Sequence, residues 1–288
     1  MSTYSQKPGT GPVISDEDFL KFKEFFYRRT GIDFETSKRY FVDKRLVGRI
    51  EATHTDTFRS YFTFLRFQAS GEELQQLTNV MTVNETYFLR EEYQFRCLVD
   101  SILPEIAGRK AGAEKIRIWC IPSSTGEEPY SIAMYLLEHW PGINQWDVEI
   151  ISSDIDTSVL RRARAGRYSE RSIKKLPAHW LRKYFTSVGD DYQLCDDLRE
   201  AVEFTRVNLS EAADTVKYRN FDVIFCRNLL IYFDDVSRKA ATDTFYEALN
   251  PGGYICLGHS ESMSRTSSLF KVVKFPDAIV YRKGLESK

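Results

Sequence analysis

The chain has 288 residues, 42% hydrophobic and 28% charged, with a formal net charge of −1. That composition suits a globular protein with room for two domains and is too apolar for a disordered chain. It also lacks the overall positive field that favours nucleic acid. Five cysteines, at 97, 120, 195, 226 and 256, form no C-x-x-C pair, and the four histidines stand at no metal-ligand spacing to them. The expectation is a reducing compartment, buried thiols and no metal site. The first fourteen residues are rich in Ser, Thr, Gly and Pro without an apolar core, so a loose N-terminus is expected. No run approaches the ~18 apolar residues of a membrane span. A cytoplasmic protein without membrane insertion is the reading.

From Ser15 to about Val83 the pattern is helical. Ser15-Asp16-Glu17-Asp18 reads as a cap with an acidic first turn opening Phe19–Thr30, and Gly31 ends that helix. Thr36-Ser37 opens a second helix to about Ala52, a third covers Thr57–Gln68, and a fourth covers Glu72–Met81. Phe, Leu and Tyr recur along them at three- and four-residue spacings. A different grammar begins near Lys115. Apolar runs at Ile116–Ile121, Val148–Asp154, Phe221–Cys226 and Tyr254–Gly258 read as strands. The first three lead into helices at Glu128–His139, Val159–Ala165 and Val236–Leu249, and Asn250–Gly253 reads as a turn before the fourth strand. Such alternation predicts a doubly wound parallel sheet.

Phe270–Phe275 and Ala278–Arg282, joined by a short Pro-Asp turn, leave no room for a crossover helix and predict an antiparallel edge hairpin. A mostly parallel sheet finished in that way is the arrangement of S-adenosylmethionine-dependent methyltransferases. Residues 167–207 interrupt the alternation with a helix near Lys174–Tyr184, a turn at Gly189–Asp191 and strand-like Tyr192–Cys195 and Val202–Val207. They are expected to form a small insert of antiparallel strands. The predicted organisation is a helical domain at 15–83, a linker and helix at 84–114, and an α/β domain at 115–283 containing the insert.

Three polar loops leave predicted strands at one edge of the sheet, where folds of this class place their ligands. The first, Pro122-Ser-Ser-Thr-Gly-Glu-Glu-Pro129, has small residues and two carboxylates. It lacks a G-x-G-x-x-G and so does not support a pyrophosphate. Its acids suit a cationic ligand, and equally suit a helix N-terminus. The second, Ser152-Ser-Asp-Ile-Asp156, puts Asp154 where an acid can accept both ribose hydroxyls, with Asp156 as helix cap. The third, Cys226-Arg-Asn-Leu-Leu-Ile-Tyr-Phe233, sets an Arg and an Asn where a strand stops.

Together with Thr82-Val-Asn-Glu-Thr-Tyr-Phe-Leu-Arg90, Val207-Asn-Leu209 and Gly258-His-Ser-Glu261, in that order and spacing, these loops make the chain resemble the CheR family of chemotaxis receptor methyltransferases from about Asp16 to Lys283. The resemblance implies a Rossmann-like methyltransferase sheet with an N-terminal all-α domain and the small β insert. It also implies S-adenosylmethionine as cofactor, S-adenosylhomocysteine as product, and glutamates of methyl-accepting receptors as substrate. Asn84, Thr86 and Arg90 would line the pocket, with Arg90 also catalytic. Glu128, Asp154, Asn208, Leu209, Arg227 and Asn228 would complete cofactor binding, and Tyr232 would orient the substrate. Two plainer readings stay open: Arg90 as an ion-pair residue and Tyr232 as core with its hydroxyl at the rim. A glutamate is ionised at neutral pH, with a pKa of about 4.3, so transfer needs positioning more than a base. His259-Ser260-Glu261 cannot converge as a triad.

Between Leu20 and Ile50 nine Lys/Arg face four Asp/Glu. On a continuous helix Lys38, Arg45 and Arg49 fall within about 40° of one another. They form a candidate receptor-docking stripe for the acidic cytoplasmic helical bundle of a receptor, although a charge run also suits a solvated face. The turn around Val188–Tyr192 is shorter than in members that grip a receptor's C-terminal pentapeptide, so no such tether is expected. The protein is read as a monomer. Two rivals are a nucleic-acid methyltransferase, which the near-zero charge and the Arg-Asn-Leu-Leu segment disfavour, and a non-catalytic scaffold, which intact Arg90 and Tyr232 disfavour.

Overall fold

The computed structural model describes residues 12–110, 114–263 and 267–285. The N-terminus expected to be loose falls mainly outside them. The chain divides into two compact units, one of residues 1–29 and 33–82, the other of 30–32 and 83–288.

The first unit is helical. α1 (Asp16–Thr30) starts at Ser15, whose Oγ accepts from the Asp18 N–H while the Asp18 carboxylate accepts from the Ser15 N–H; this reciprocal cap satisfies two donors of the first turn. α2 (Arg39–Ala52) is preceded by a 3₁₀ turn, Thr36–Lys38, so the helix expected from Thr36 begins three residues later. α3 (Phe58–Phe67) carries a Thr57–Ser60 capping box, and α4 (Glu72–Met81) follows Gly71 in the left-handed region. Phe22, Phe26, Val42, Leu46, Tyr61 and Leu77 are fully buried in this unit. A carboxylate is buried with them. Glu73 accepts from Arg49 Nε at 2.9 Å and Nη2 at 2.6 Å, and from the Tyr61 hydroxyl at 2.8 Å.

The second unit opens with α5 (Tyr93–Cys97), a π-helical turn at Leu98–Ile102 and α6 (Leu103–Ala107). Then come β1 (Ile116–Cys120), α7 (Glu127–His139), β2 (Val148–Asp154) and α8 (Thr157–Ala165). The insert follows: β3 (Arg167–Ser169), α9 (Glu170–Ile173), α10 (Ala178–Tyr184), β4 (Phe185–Val188) and β5 (Asp191–Leu194). The chain continues through α11 (Asp196–Glu200), β6 (Val202–Arg206), α12 (Ala212–Thr215), β7 (Phe221–Cys226), α13 (Asp235–Ala248), β8 (Leu249–Leu257), β9 (Phe270–Lys274) and β10 (Ile279–Lys283).

The main sheet has seven strands in the order β6-β2-β1-β7-β8-β10-β9. The first five are parallel, and β10 and β9 form the expected antiparallel hairpin at the edge. The predicted α/β class is therefore the observed one. Three details of this unit differ from the sequence reading. Val202–Arg206, expected among the insert's antiparallel strands, pairs in parallel with β2 as the far edge of the main sheet. The helix expected over Lys174–Tyr184 begins only at Ala178, as α10, and Lys174–Leu176 form a turn, because Pro177 disfavours helical backbone in the residue before it. The insert sheet is β3-β5-β4, with β4 and β5 joined through Gly189-Asp190 as a two-residue hairpin. Asn250–Gly253 lies within β8, bulging between the Phe221–Leu249 and Val223–Tyr254 pairs.

The sheet is buried on both faces. Ile118, Phe225, Tyr254 and Cys256 belong to one cluster, and Trp119, Ile224, Ile255 and Phe245 to the other. From β1 the chain winds outward through β2 to β6, then returns to the other side of β1 as β7. The β1–β7 crevice is thus the switch point where parallel sheets bind ligands at the carboxyl ends of their strands. Among the described residues no helix is long and apolar enough to cross a membrane.

Candidate active site

The switch point opens into a cleft with about 790 Å³ of empty space, open solvent at its mouth included. Its wall is built from three stretches: residues 83–87 and Arg90 before α5 with Phe95 on it, Pro122–Ser124 with Glu128 after β1, and Arg227, Asn228, Ile231 and Tyr232 after β7. Of the candidate residues, Asn84, Thr86, Arg90, Glu128, Arg227, Asn228 and Tyr232 all line this one cavity.

Asp154, Asn208 and Leu209 are not in its wall but sit at adjoining strand ends. Asp154 receives the Ser124 N–H at 2.8 Å and the Asp156 N–H at 2.9 Å, and its carbonyl receives the Val207 N–H at 3.0 Å. Burial pushes its carboxyl up to about 6, against the lowering pull of those N–H groups. Asn208 is 4% exposed, donates its N–H to Asp214 and accepts the Ser210 N–H on its side chain. Leu209 packs against the core beside it. Asp156 caps α8 as expected, and its other oxygen accepts from Asn84 Nδ2 at 3.0 Å, tying the first wall of the cleft to β2.

The centre of the cleft is ionic. Arg227, 2% exposed in its side chain, donates Nη1 to Glu128 at 2.8 Å and Nη2 to the Arg90 carbonyl at 2.6 Å, and lies 3.4 Å from Glu91. Burial raises the Glu128 carboxyl to about 7 even with Arg227 beside it. One oxygen of Glu128 is shut away from solvent with no hydrogen-bond partner, as are the hydroxyls of Ser123 and Ser124. A buried acceptor with nothing to accept costs free energy. These three atoms suit a ligand bearing an ammonium group and hydroxyls. The groups that S-adenosylmethionine presents fit that set.

Arg90 is held in the wall by strained backbone on both sides. Leu89 and Glu91 have φ of 57° and 56°, a left-handed conformation that bulky residues rarely adopt. Three bonds fix this segment: Phe88 N–H to the Ser172 carbonyl, Leu89 N–H to Ser131 Oγ, and Arg227 to the Arg90 carbonyl. Glu91 is a hub that sequence reasoning did not single out. It also accepts from Tyr93, Gln94 and the His259 ring. Burial would raise its carboxyl, but Arg227, His259 and Tyr93 together hold it below the ordinary glutamate range.

Glu261, in the Gly258–Glu261 stretch, has a part that local sequence does not show. Its carboxylate accepts the N–H groups of Asn228, Leu230 and Gly258 at 2.7–2.9 Å, fixing the loop that carries Asn228 and Tyr232. A Cβ on Gly258 would come within 2.9 Å of both Asn228 Nδ2 and Glu261, so only glycine lets these groups close up. Glu127, read with Glu128 as a ligand or cap candidate, faces away from the cleft onto Thr125 and Ser172. Tyr232 is 37% exposed at the mouth. Partial burial raises its phenol, so at neutral pH it is a protonated donor.

The three candidate docking residues lie in the first unit. Lys38 belongs to the 3₁₀ turn and is exposed, so it is off the α2 wheel. Arg45 donates to the Val80 carbonyl, and Arg49 is bound to Glu73.

Comparison with known proteins agrees with this geometry. The family described as "CheR methyltransferase, SAM binding domain" matches residues 84–279, and "CheR methyltransferase, all-alpha domain" matches residues 17–82. "Chemotaxis protein methyltransferase 2" of Vibrio cholerae is 57% identical over 96% of each chain. "Chemotaxis protein methyltransferase" of Salmonella typhimurium is 37% identical over 88% of this chain and 86% of its own length, and that of Escherichia coli is 35% identical over 90% and 88%. The chain belongs to the CheR methyltransferase family and is an S-adenosylmethionine-dependent methyltransferase.

Proposed function

We propose that the protein methylates glutamate side chains on the cytoplasmic helical bundle of chemoreceptors, giving glutamate methyl esters. The observation that carries this reading is the pairing of Arg90 and Tyr232 at one cavity. The described wall holds Arg90 and Arg227, the phenols of Tyr87 and Tyr232, and the carboxylates of Glu85 and Glu128, each beside an arginine, and no histidine or cysteine. That inventory suits an acceptor needing no general base, and a carboxylate is already ionised at pH 7. The names of the relatives point to the same substrate class.

S-adenosylmethionine supplies a methyl group on a positively charged sulfur. Glu128 and the Ser123 and Ser124 hydroxyls hold the cofactor's polar groups, with Asn84, Thr86, Arg227 and Asn228 completing the wall. Asp154, Asn208 and Leu209 take the nucleoside end beside β2. Arg90 draws the incoming carboxylate by charge, and the Tyr232 hydroxyl donates to the oxygen that does not react, which orients the other. Lys38 and Arg45 supply the docking contribution of the first unit, whereas Arg49 serves Glu73. The two-residue Gly189-Asp190 turn leaves the insert no extended loop for a peptide tether, so receptors are recognised through the bundle itself.

The test is incubation with methyl-labelled cofactor and a chemoreceptor cytoplasmic fragment. Label released by mild base as methanol supports the reading, because esters hydrolyse under those conditions. Base-stable label, or none, rejects it.

A further inference from the structure

The helical unit holds the chain's first basic run, in which Arg49 is held by Glu73 and Arg45 donates to the Val80 carbonyl. A denser run lies in the methyltransferase unit. From Arg161 to Lys175 there are seven Lys/Arg and one acid, Glu170, and all seven cations are exposed. In a chain of net charge −1 this is a local field.

The insert carries its last three cations to the edge of the active-site cleft. The Ser172 carbonyl takes the Phe88 N–H at 3.0 Å, and Ser172 Oγ donates to Glu127 at 2.8 Å, which seats α9 against the wall segment that ends in Arg90. Arg171 therefore stands 3.8 Å from Glu85, and Lys175 lies 4.5 Å over the ring of Tyr87; both neighbours line the cleft. The Arg171–Glu85 pair is 89% and 81% exposed, so each charge stays available to a partner. Lys174, between them, makes no ion pair among the described residues. The same mouth exposes Val83, Ile231 and Tyr232, at 47%, 50% and 37%. One rim thus combines a cationic step with an apolar and aromatic surface.

We infer that Arg171, Lys174 and Lys175 form a docking step for an acidic, amphipathic helical face around the acceptor glutamate. The inference rests on the proposed receptor substrate and places a recognition surface beside the chemistry itself. Charge complementarity sets the occupant: carboxylates flanking the acceptor meet the three cations, and the apolar positions of the same helix meet Val83 and Ile231. Steering of this kind acts on encounter and is weakened by salt.

The experiment compares the full chain with Arg171→Glu/Lys174→Glu and with Arg171→Gln/Lys174→Gln. It measures methylation of a chemoreceptor cytoplasmic fragment across a salt series and S-adenosylhomocysteine affinity by calorimetry. The expected result is a KM for the fragment raised about tenfold in the reversed variant and less in the neutral one, with a flatter salt dependence in both. Affinity for S-adenosylhomocysteine stays within about twofold, which also reports that the variants are folded. Unchanged KM and salt dependence overturn the docking step alone. If the wild-type chain leaves no base-labile label on the fragment, the substrate assignment falls and the docking step falls with it.

Discussion

Arg227 and Glu128 meet at 2.8 Å in the wall of the cleft, with side chains only 2% and 13% exposed. A buried pair of this kind is strongly destabilising to break, because the partner left behind is an uncompensated charge. Arg227→Met leaves Glu128 and Glu91 facing each other across the cleft. The expected loss is about 3 kcal/mol or more in urea unfolding, and Arg227→Met/Glu128→Gln should recover part of it. A single variant as stable as the wild type would show that the pair does not hold the site.

The same burial makes cofactor binding depend on pH. Glu128 is pushed up to about 7 and Asp154 to about 6, both by desolvation. The unfolded chain releases these protons near pH 4, so each group favours the folded state at low pH. That contribution is withdrawn as pH rises through the folded values. A bound cation reverses the preference by favouring the ionised carboxylate of Glu128. Affinity for S-adenosylhomocysteine should therefore rise from about pH 5.5 to about pH 7.5 and then level off, releasing protons on binding. Calorimetry in buffers of different ionisation enthalpy measures this directly. A flat profile in the wild type contradicts the assignment.

Tyr232 touches the mouth and not the ionic centre, so its role is separable. Tyr232→Phe keeps the ring and removes only the donor. Turnover on a receptor fragment should fall about 10- to 100-fold, while S-adenosylhomocysteine affinity stays within about twofold. Equal loss of both would place Tyr232 in cofactor binding.

In the helical unit Arg45 and Arg49 should behave differently. Arg45→Glu should raise KM for the receptor fragment without changing S-adenosylhomocysteine affinity. Arg49→Glu sets a carboxylate against Glu73, which is 4% exposed, and should cost the fold about 3 kcal/mol. Thermal unfolding of the two variants separates docking from structure.

Four of the five parallel strands were legible because buried strands such as Phe221–Cys226 read as apolar runs between polar loops. Val202–Arg206 misled because an edge strand alternates, with Val202 and Phe204 buried and Glu203 and Arg206 exposed, which is how a strand in a small antiparallel insert also reads. The cleft residues were legible from their loops and from the family resemblance, but their partners were not. Glu91 reaches Arg227 from a distant part of the chain through two left-handed residues, and nothing in local sequence announces such a conformation outside glycine. Arg49 looked like part of a surface stripe because helix periodicity gives a direction and not the acid that α4 brings to meet it.

The central claim is that the unpartnered oxygen of Glu128 faces the cofactor's cationic group. Titration of S-adenosylhomocysteine into the wild type and Glu128→Gln, each first shown to be folded by thermal unfolding, tests it most directly. Tight binding by the wild type and a loss of about tenfold or more in the variant is the predicted result. Equal affinity in the two proteins, or none in the wild type, would contradict the account.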